Sequence, residues 1–397
     1  MKLNEKIRLL ERRTKFSKRE SLDPLIAISS NLNLNYDATK IQVVGTNGKG
    51  TTSKMITDVL KKTSSVGTFM SPYVYKFNER ILINGKCISD YELENYLDWI
   101  EKIYLKFDLS FFEALTIMAL KIFKDKNLKY IILEAGIGGR LDVTSIINYD
   151  FTLFTNVGHD HLNLLGPSLE NVANEKIAAM KDNGYLITTV QNKYYSIIEK
   201  HLSTLKDTKK IFLSKKEVKI ISNYPLTFIY KSEVYTLNYK GVHNINNALL
   251  AIELSRKLNV NEELIKDGLL NSKLVGRFET QKNLVYDGAH NIESIQALVK
   301  TVDQVFSRKK IYYIFSCLGD KNPLKMLNAL KRNGNVIATS FNDPRFIDFQ
   351  HLIPDDVKYI KEFTNITNLL RNEKDAIFIF TGSFHFISYA KNLEVLD

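Results

Sequence analysis

Short apolar runs alternate with longer amphipathic stretches along most of the chain. Apolar residues repeat every three or four positions in the longer stretches, which predicts helices, and the short runs predict buried strands. The strands are expected at residues 41–44, 130–133 and 151–155, and the helices at 91–107, 112–124 and 169–180. Strands that alternate with helices predict a largely parallel sheet covered on both faces, so the fold class is α/β.

The pattern changes at residues 211–239, where short β-like runs follow one another without long helices between them. This predicts a small, more antiparallel region. Helical patterns return at 246–258 and 262–270.

A second strand–helix series then begins, and it forms an α/β unit of about 120 residues, which is an ordinary domain size. Its strands are predicted at 284–286, 311–316, 336–340 and 377–381. With 397 residues, the chain is long enough for two or three domains. We predict a first domain at 1–272, a linker at 273–279 and a second domain at 280–397.

Composition and charge narrow the classes of function. The net charge is +11, but acidic residues are interspersed with the basic ones, which favours a solvated surface over a nucleic-acid site. Cys87 and Cys317 lie far apart, so neither a zinc site nor a disulfide framework is indicated. Residues 1–16 are charged and amphipathic rather than typical of a signal peptide, and no apolar run reaches the roughly 18 residues that span a bilayer. We expect a cytoplasmic protein without nucleic-acid or membrane partners.

The sequence VVGTNGKGTT at 43–52 carries the strongest chemical signal. A buried strand leads into a glycine-rich turn, a lysine, two hydroxyls and a helix expected at 53–61, an arrangement that binds nucleotide phosphates. Lys49 would contact the β- and γ-phosphates, and Thr51 or Thr52 would contact Mg²⁺. The spacing departs from the common phosphate loop at Val43 and Gly50, and the alternative is a glycine-rich turn without a ligand. The candidate nucleotide-binding residues are Thr46, Asn47, Gly48, Lys49, Gly50, Thr51 and Thr52.

Other polar clusters follow predicted strands, where ligands bind in open α/β sheets. Glu134 begins the turn EAGIGGRLD and is a candidate Mg²⁺ ligand, or a carboxylate with a local partner. Residues 157–161 (VGHDH) form a metal-binding or hydrogen-bonded loop. Residues 287–291 (DGAHN) follow the first strand of the second domain, and Arg277 in the linker offers a guanidinium for phosphate.

These motifs, in this order, resemble the folylpolyglutamate synthase/dihydrofolate synthase family, which consists of ATP-dependent amide ligases related to the Mur ligases. The resemblance covers nearly the whole chain. Its motifs are GTNGKGTT (45–52), SPYVYKFNERILING (71–85), FFEALT (111–116), LEAGIGGRLDVT (133–144), GHDH (158–161), NEK (174–176), GRFE (276–279) and DGAHN (287–291).

The resemblance implies a phosphate-loop ATPase domain with a mainly parallel sheet, followed by a smaller Rossmann-like domain. It also implies ATP and Mg²⁺, with two ions expected. Lys49, Lys176, Asp287 and His290 match catalytic positions, and Asn247, Arg277 and Asp287 match positions that contact ATP. The positions that match metal ligands are Thr51, Ser71, Glu134, His161 and Lys176, and the family often carboxylates the lysine that Lys176 matches.

The sequence departs from the family pattern at two places, and the second of them concerns the acceptor. Tyr73 stands where histidine is common, and residues 21–24 read SLDP where a G-L-x-R pattern is common. The second segment helps to hold the pterin in enzymes that accept dihydropteroate, so the resemblance is weaker for that acceptor.

The implied reaction adds L-glutamate to a folate, and also to dihydropteroate, through an acyl phosphate, and a monomer is expected. A Mur-type ligase acting on a nucleotide-linked cell-wall precursor is the alternative. A GTPase switch would need an Asn-Lys-x-Asp motif, which the sequence lacks. A nucleic-acid-dependent NTPase would show salt-dependent binding to DNA or RNA.

Overall fold

The computed structural model describes residues 2–15, 19–319 and 321–393. The chain divides into two compact units, one of residues 1–218 with 245–272 and one of residues 219–244 with 273–397. The predicted domains place 219–244 in the first domain, whereas these residues belong to the second unit. The outermost predicted domain limits, residues 1 and 397, lie outside the described residues.

The first unit is built on an eight-stranded sheet in the order β4-β3-β2-β5-β1-β6-β7-β8. The six strands from β2 to β8 in this order are parallel, and β3 and β4 are antiparallel additions at one edge. The strands are β1 (Thr39–Val44), β2 (Val66–Phe69), β3 (Ile81–Ile83), β4 (Lys86–Cys87), β5 (Tyr130–Glu134), β6 (Phe151–Phe154), β7 (Tyr185–Thr188) and β8 (Lys209–Phe212).

Helices connect these strands and cover the sheet. They are α1 (Leu3–Glu11), α2 (Asp23–Asn31), α3 (Lys49–Leu60), α4 (Asp90–Phe107), α5 (Phe111–Asp125), α6 (Leu162–Leu165), α7 (Leu169–Ile177) and α8 (Tyr195–Leu202). Helix α5 is buried almost throughout, and its start is fixed because Ser110 accepts a hydrogen bond from the Glu113 backbone N–H. Its Phe123 packs so closely on β2 that a Cβ at Gly67 would lie 2.5 Å from the ring.

The second unit holds the remaining sheets. A three-stranded sheet has the order β11-β10-β9, and a six-stranded sheet has the order β12-β13-β17-β14-β15-β16, parallel except for β12. The strands are β9 (Val218–Asn223), β10 (Leu226–Tyr230), β11 (Glu233–Leu237), β12 (Glu279–Gln281), β13 (Leu284–Tyr286), β14 (Ile311–Phe315), β15 (Asn335–Thr339), β16 (Lys358–Ile360) and β17 (Ile377–Thr381).

Six further α-helices follow in the part of the chain that the structure describes. Helices α9 (Asn244–Lys257) and α10 (Glu262–Leu270) lie almost wholly in the first unit, where α10 packs on α3. The second unit carries α11 (Ile292–Val305), α12 (Pro323–Leu330), α13 (Phe363–Asn372) and α14 (Phe384–Asn392). None of the helices in the described part of the chain is long and apolar enough to cross a membrane.

The predicted fold class is confirmed, because a mainly parallel sheet comes first and a smaller α/β sheet follows. One detail is wrong. The run at 210–213, assigned to the small antiparallel region, belongs to β8 and pairs in parallel with β7 in the main sheet. Its sequence, KIFL, is as short and apolar as its neighbours, so its pairing partner could not be deduced from the pattern alone.

Candidate active site

The loop between β1 and α3 has a backbone that only glycine can follow at two positions. Gly48 has φ 84°, and a Cβ there would lie 2.3 Å from Oδ1 of Asn247 on α9. Gly45 has φ 143°, and a Cβ there would lie 1.9 Å from Oγ1 of Thr155. The two glycines therefore let the loop pack tightly against neighbouring segments while it turns into the helix.

The segment after β6 holds this loop in place. The Thr46 N–H donates to the Asn156 carbonyl (3.0 Å), and the Asn47 N–H donates to Oδ1 of the same asparagine (3.0 Å). Thr155 Oγ1 donates to the Asn47 carbonyl (2.7 Å). The loop is consequently shaped by the protein itself, with the N-terminus of α3 at its end, where an anion is favoured.

Two lysines converge on one carbonyl of the loop. Lys49 Nζ donates to the Gly45 carbonyl (3.0 Å) and to the Thr46 carbonyl (3.2 Å). Lys176 Nζ, on α7, also donates to the Gly45 carbonyl (2.9 Å). Two ammonium groups this close repel each other, so the site favours the arrival of negative charge.

Lys176 is only 4 % exposed. Burial, and secondly the charge of Lys49, lower the pKa of Lys176 to about 7, although Asp160 and Asp142 act in the opposite direction. A substantial fraction of this lysine is therefore uncharged near neutral pH.

The glycine-rich turn after β5 supports α7, and so it supports Lys176. A Cβ at Gly139 would lie 2.6 Å from the Lys176 carbonyl, and the Arg140 N–H donates to the Glu175 carbonyl (3.0 Å). Asp142 closes the turn by accepting from the backbone N–H groups of Gly136 (2.8 Å) and Ile137 (2.9 Å). Close packing against α7 therefore accounts for glycine at residue 139, and no contact between the turn and a ligand is needed to explain it.

Two of the predicted metal ligands, Glu134 and Ser71, meet at the carboxyl end of β5. Glu134 is 4 % exposed and accepts from the Ser71 N–H (3.2 Å), and Ser71 precedes a cis proline. Thr51 is buried in the first turn of α3. His161 has φ 52° at the start of α6, with its Nε2 3.8 Å from Asp160 Oδ2.

The donor set suits a hard cation. Among the described residues, no three His, Cys, Asp or Glu side chains cluster as a protein-only metal site would require. Mg²⁺ is commonly held by one or two carboxylates together with substrate phosphates, and a buried glutamate with nearby hydroxyl residues fits that pattern. The assignments of Thr51, Ser71, Glu134, His161 and Lys176 as ligands stay predictions.

The side chain of Asn247 contacts the phosphate loop at two residues, Thr52 and Gly48. Its Oδ1 accepts from Thr52 Oγ1 (3.3 Å) and occupies the space that a side chain at residue 48 would need. The first unit thus brings together residues 45–52, Lys176 and Asn247. Asn156, which organises the loop backbone, is a residue that sequence reasoning missed, although its place directly after a predicted strand was a usable signal.

In the second unit, Arg277 lies between two residues with left-handed backbones, Gly276 (φ 66°) and Phe278 (φ 49°). Its guanidinium carbon lies 4.4 Å from the centre of the Phe384 ring. The stacking and the constrained backbone hold the guanidinium in one orientation, as phosphate recognition requires.

Asp287 ties the Arg277 segment to the loop after β13. Its carboxylate accepts from the backbone N–H groups of Phe278 (2.8 Å) and Ala289 (2.9 Å). Burial raises the pKa of Asp287, and the nearby charge of Arg277 opposes this shift. The ring of His290 lies 5.6 Å from that of Phe384, and its Nδ1 is 2.8 Å from the Gly288 carbonyl. The second unit thus gathers Arg277, Asp287 and His290.

Comparison with known proteins agrees with this architecture. Residues 43–255 match the Mur ligase middle domain, and residues 276–384 match the Mur ligase glutamate ligase domain. The chain is 30 % identical over 386 residues to the dihydrofolate synthase/folylpolyglutamate synthase of Bacillus subtilis, covering 87 % of this chain and 88 % of that protein.

Solved structures show the same fold. The folylpolyglutamate synthase of Thermotoga maritima is 25 % identical, with a TM-score of 0.81 over 98 % of this chain and 96 % of that one. The bifunctional folylpolyglutamate synthase/dihydrofolate synthase of Yersinia pestis, solved with AMPPNP and Mn, is 24 % identical, with a TM-score of 0.86 over 100 % of this chain and 98 % of that one.

The fold and the phosphate loop therefore define a ligase of the Mur ligase superfamily. Within that superfamily, the chain belongs to the folylpolyglutamate synthase/dihydrofolate synthase family. The resemblance noted from the motifs is confirmed.

The low pKa of Lys176 predicts a pH-dependent contribution to stability. Its folded pKa of about 7 lies below its ordinary value of 10.5, so between these values the unfolded chain holds a proton that the folded chain has released. The free energy of unfolding of the wild type should therefore rise with pH relative to Lys176→Met, by up to ~1.4 kcal/mol per pH unit.

Urea denaturation at pH 6, 7, 8 and 9, in buffer purged of CO₂, measures this difference. Lys62→Met, which removes a lysine paired with Asp267, controls for the loss of a lysine elsewhere in the unit. A difference between wild type and Lys176→Met that does not change with pH would contradict the assignment.

Proposed function

We propose that this chain is an ATP-dependent amide ligase that adds L-glutamate to a folate. The acceptors are tetrahydrofolate or folylpolyglutamate, and dihydropteroate, and the products include ADP and phosphate. The observation that carries the proposal is the phosphate loop between β1 and α3, where two lysines converge on the Gly45 carbonyl. Membership in the family supports a folate as the acceptor and L-glutamate as the amine.

The reaction must first activate a carboxylate, because an amine cannot expel an oxide ion from it. An oxygen of the acceptor carboxylate attacks the γ-phosphorus of ATP, ADP leaves, and an acyl phosphate forms. The amine of L-glutamate attacks the acyl carbon, and the tetrahedral intermediate expels phosphate. Lys49, the loop N–H groups and the N-terminus of α3 would stabilise the charge on the transferring group.

We propose that Mg²⁺ binds beside the triphosphate, with two ions in the full site. Thr51, Ser71, Glu134, His161 and a carboxylated Lys176 would hold it, and the buried carboxylate of Glu134 is the donor best suited to a hard cation. When bound, the metal polarises the phosphoryl oxygens and offsets their charge.

In the second unit, Arg277 would contact the ATP phosphates. Asp287 positions Arg277 through the Phe278 N–H and would itself contact ATP, as would Asn247 from the first unit. His290 would position phosphate or glutamate. We further propose a cytoplasmic monomer that needs neither nucleic acid nor a membrane.

A direct assay tests the function. Purified protein is incubated with Mg·ATP, L-glutamate and equal amounts of dihydropteroate and tetrahydrofolate, and the products are weighed. We expect a glutamyl mass increment on at least one acceptor, no turnover in Lys49→Ala, and near-normal turnover in Lys62→Ala. If neither acceptor gains mass although ATP binds, the folate assignment is wrong. Substantial activity in Lys49→Ala would contradict the role of Lys49 in the phosphate loop.

We also expect Nζ of Lys176 to be carboxylated. The uncharged Nζ attacks the carbon of CO₂ and loses a proton, which yields a carbamate with one negative charge. In ¹³C NMR with ¹³C-bicarbonate at pH 8, the wild type should show a carbamate signal that disappears in Lys176→Met and persists in Lys62→Met. A spectrum without that signal in the wild type would contradict the proposal.

A further inference from the structure

Arg80 is a buried cation in the segment that links Ser71 to β3. It ends a short 3₁₀ helix, Phe77–Arg80, and only 7 % of the residue is exposed. Its guanidinium carbon lies 5.0 Å from the centre of the Tyr73 ring, 5.7 Å from that of Phe77 and 5.2 Å from that of Phe111. Three aromatic rings therefore enclose the guanidinium and restrict its orientation.

Phe77 and Phe111 carry no acceptor atom, and the hydroxyl of Tyr73 is hydrogen-bonded to Glu11. Arg80 Nε is buried without a hydrogen-bond partner among the described residues. A guanidinium carries five N–H donors, and a buried unpaired charge is costly. By contrast, Arg13 also stacks on a ring, that of Tyr104, but it donates to Asp108 and to the Leu109 carbonyl.

Arg80 belongs to the same part of the molecule as the predicted metal site. Its segment begins at Ser71, whose N–H is bound to Glu134, and Tyr73 OH donates to Glu11 of α1 (3.1 Å). Burial lowers the pKa of Arg80 to about 10, while Tyr73, Glu11 and Glu134 oppose this shift. The guanidinium is thus still charged at neutral pH, and its Nε–H donor has no acceptor in the part of the chain that the structure describes.

We propose that Arg80 binds the reacting carboxylate of the acceptor substrate. The inference rests on the proposed function, which requires a carboxylate to approach the γ-phosphate, where Glu134 and the triphosphate add further negative charge. A planar guanidinium matches a carboxylate through two parallel hydrogen bonds, and the surrounding rings keep that plane fixed before the ligand arrives. The proposed function assigns Lys49 and Arg277 to ATP, and Arg80 is a further buried cation beside the segment that begins at Ser71.

The test compares an acceptor with its uncharged analogue. Dihydropteroate and its carboxamide are titrated into the wild type, Arg80→Met, Arg80→Lys and Arg13→Met, each saturated with a non-hydrolysable ATP analogue, and Kd is measured by calorimetry. Arg13→Met is the matched control, because it removes another arginine that stacks on an aromatic ring of the same unit.

We expect the wild type to bind the acid at least about 10-fold more tightly than the carboxamide, as charge-assisted hydrogen bonds predict. Arg80→Met should lose this preference by weakening the binding of the acid alone, and Arg80→Lys should keep part of it. Arg13→Met should behave as the wild type, and the affinity for the ATP analogue should be unchanged throughout.

Other outcomes overturn the proposal. Equal affinity of the wild type for the acid and the carboxamide excludes a carboxylate contact, and this measurement needs no variant to fold. Equal weakening of both ligands in Arg80→Met indicates a role in packing only. If the wild type neither binds nor glutamylates any folate acceptor, the proposed function itself is wrong, which is a distinguishable result.

Discussion

The approach of Lys49 and Lys176 to the single carbonyl of Gly45 is the interaction on which the chemistry of the first unit depends. Two ammonium groups that share one acceptor repel each other, and one of them is buried, so the loss of a proton or the arrival of an anion relieves the repulsion. Both changes would serve the proposed ligase, because an uncharged Lys176 could react with CO₂ and Lys49 could turn from the loop carbonyls to a phosphate. The repulsion between Lys49 and Lys176 raises the free energy of the loop without a ligand, and the phosphates of a nucleotide would offset it.

The sheet order places the other candidate groups. Lys49 follows β1, Glu134 ends β5 and Asn156 follows β6, and these three strands are neighbours in the parallel sheet, so their carboxyl ends share one edge. In the second unit, Asp287 and His290 follow β13 in the same way. The loops at this edge can carry polar side chains without placing them among the buried strands. The polar clusters therefore lie at the ends of strands.

Much of this arrangement could be predicted from the sequence, because both its strongest signals are local. The strand, glycines and lysine of the phosphate loop are contiguous, and strand–helix alternation defines the fold class. Two features depend on contacts between residues that are distant in sequence. They are the parallel pairing of β8 with β7 and the membership of residues 219–244 in the second unit. Arg80 was inconspicuous for the same reason, because Phe111 comes from a different element and only the fold shows that the charge is buried.

Positional isotope transfer tests the central claim, that a carboxylate is activated as an acyl phosphate at this loop. Dihydropteroate or tetrahydrofolate labelled with ¹⁸O in its reacting carboxylate is turned over with Mg·ATP and L-glutamate, and the released phosphate is analysed by mass spectrometry. When both carboxylate oxygens carry the label, each released phosphate should contain one ¹⁸O atom. Unlabelled phosphate, or label recovered in AMP, would contradict the claim.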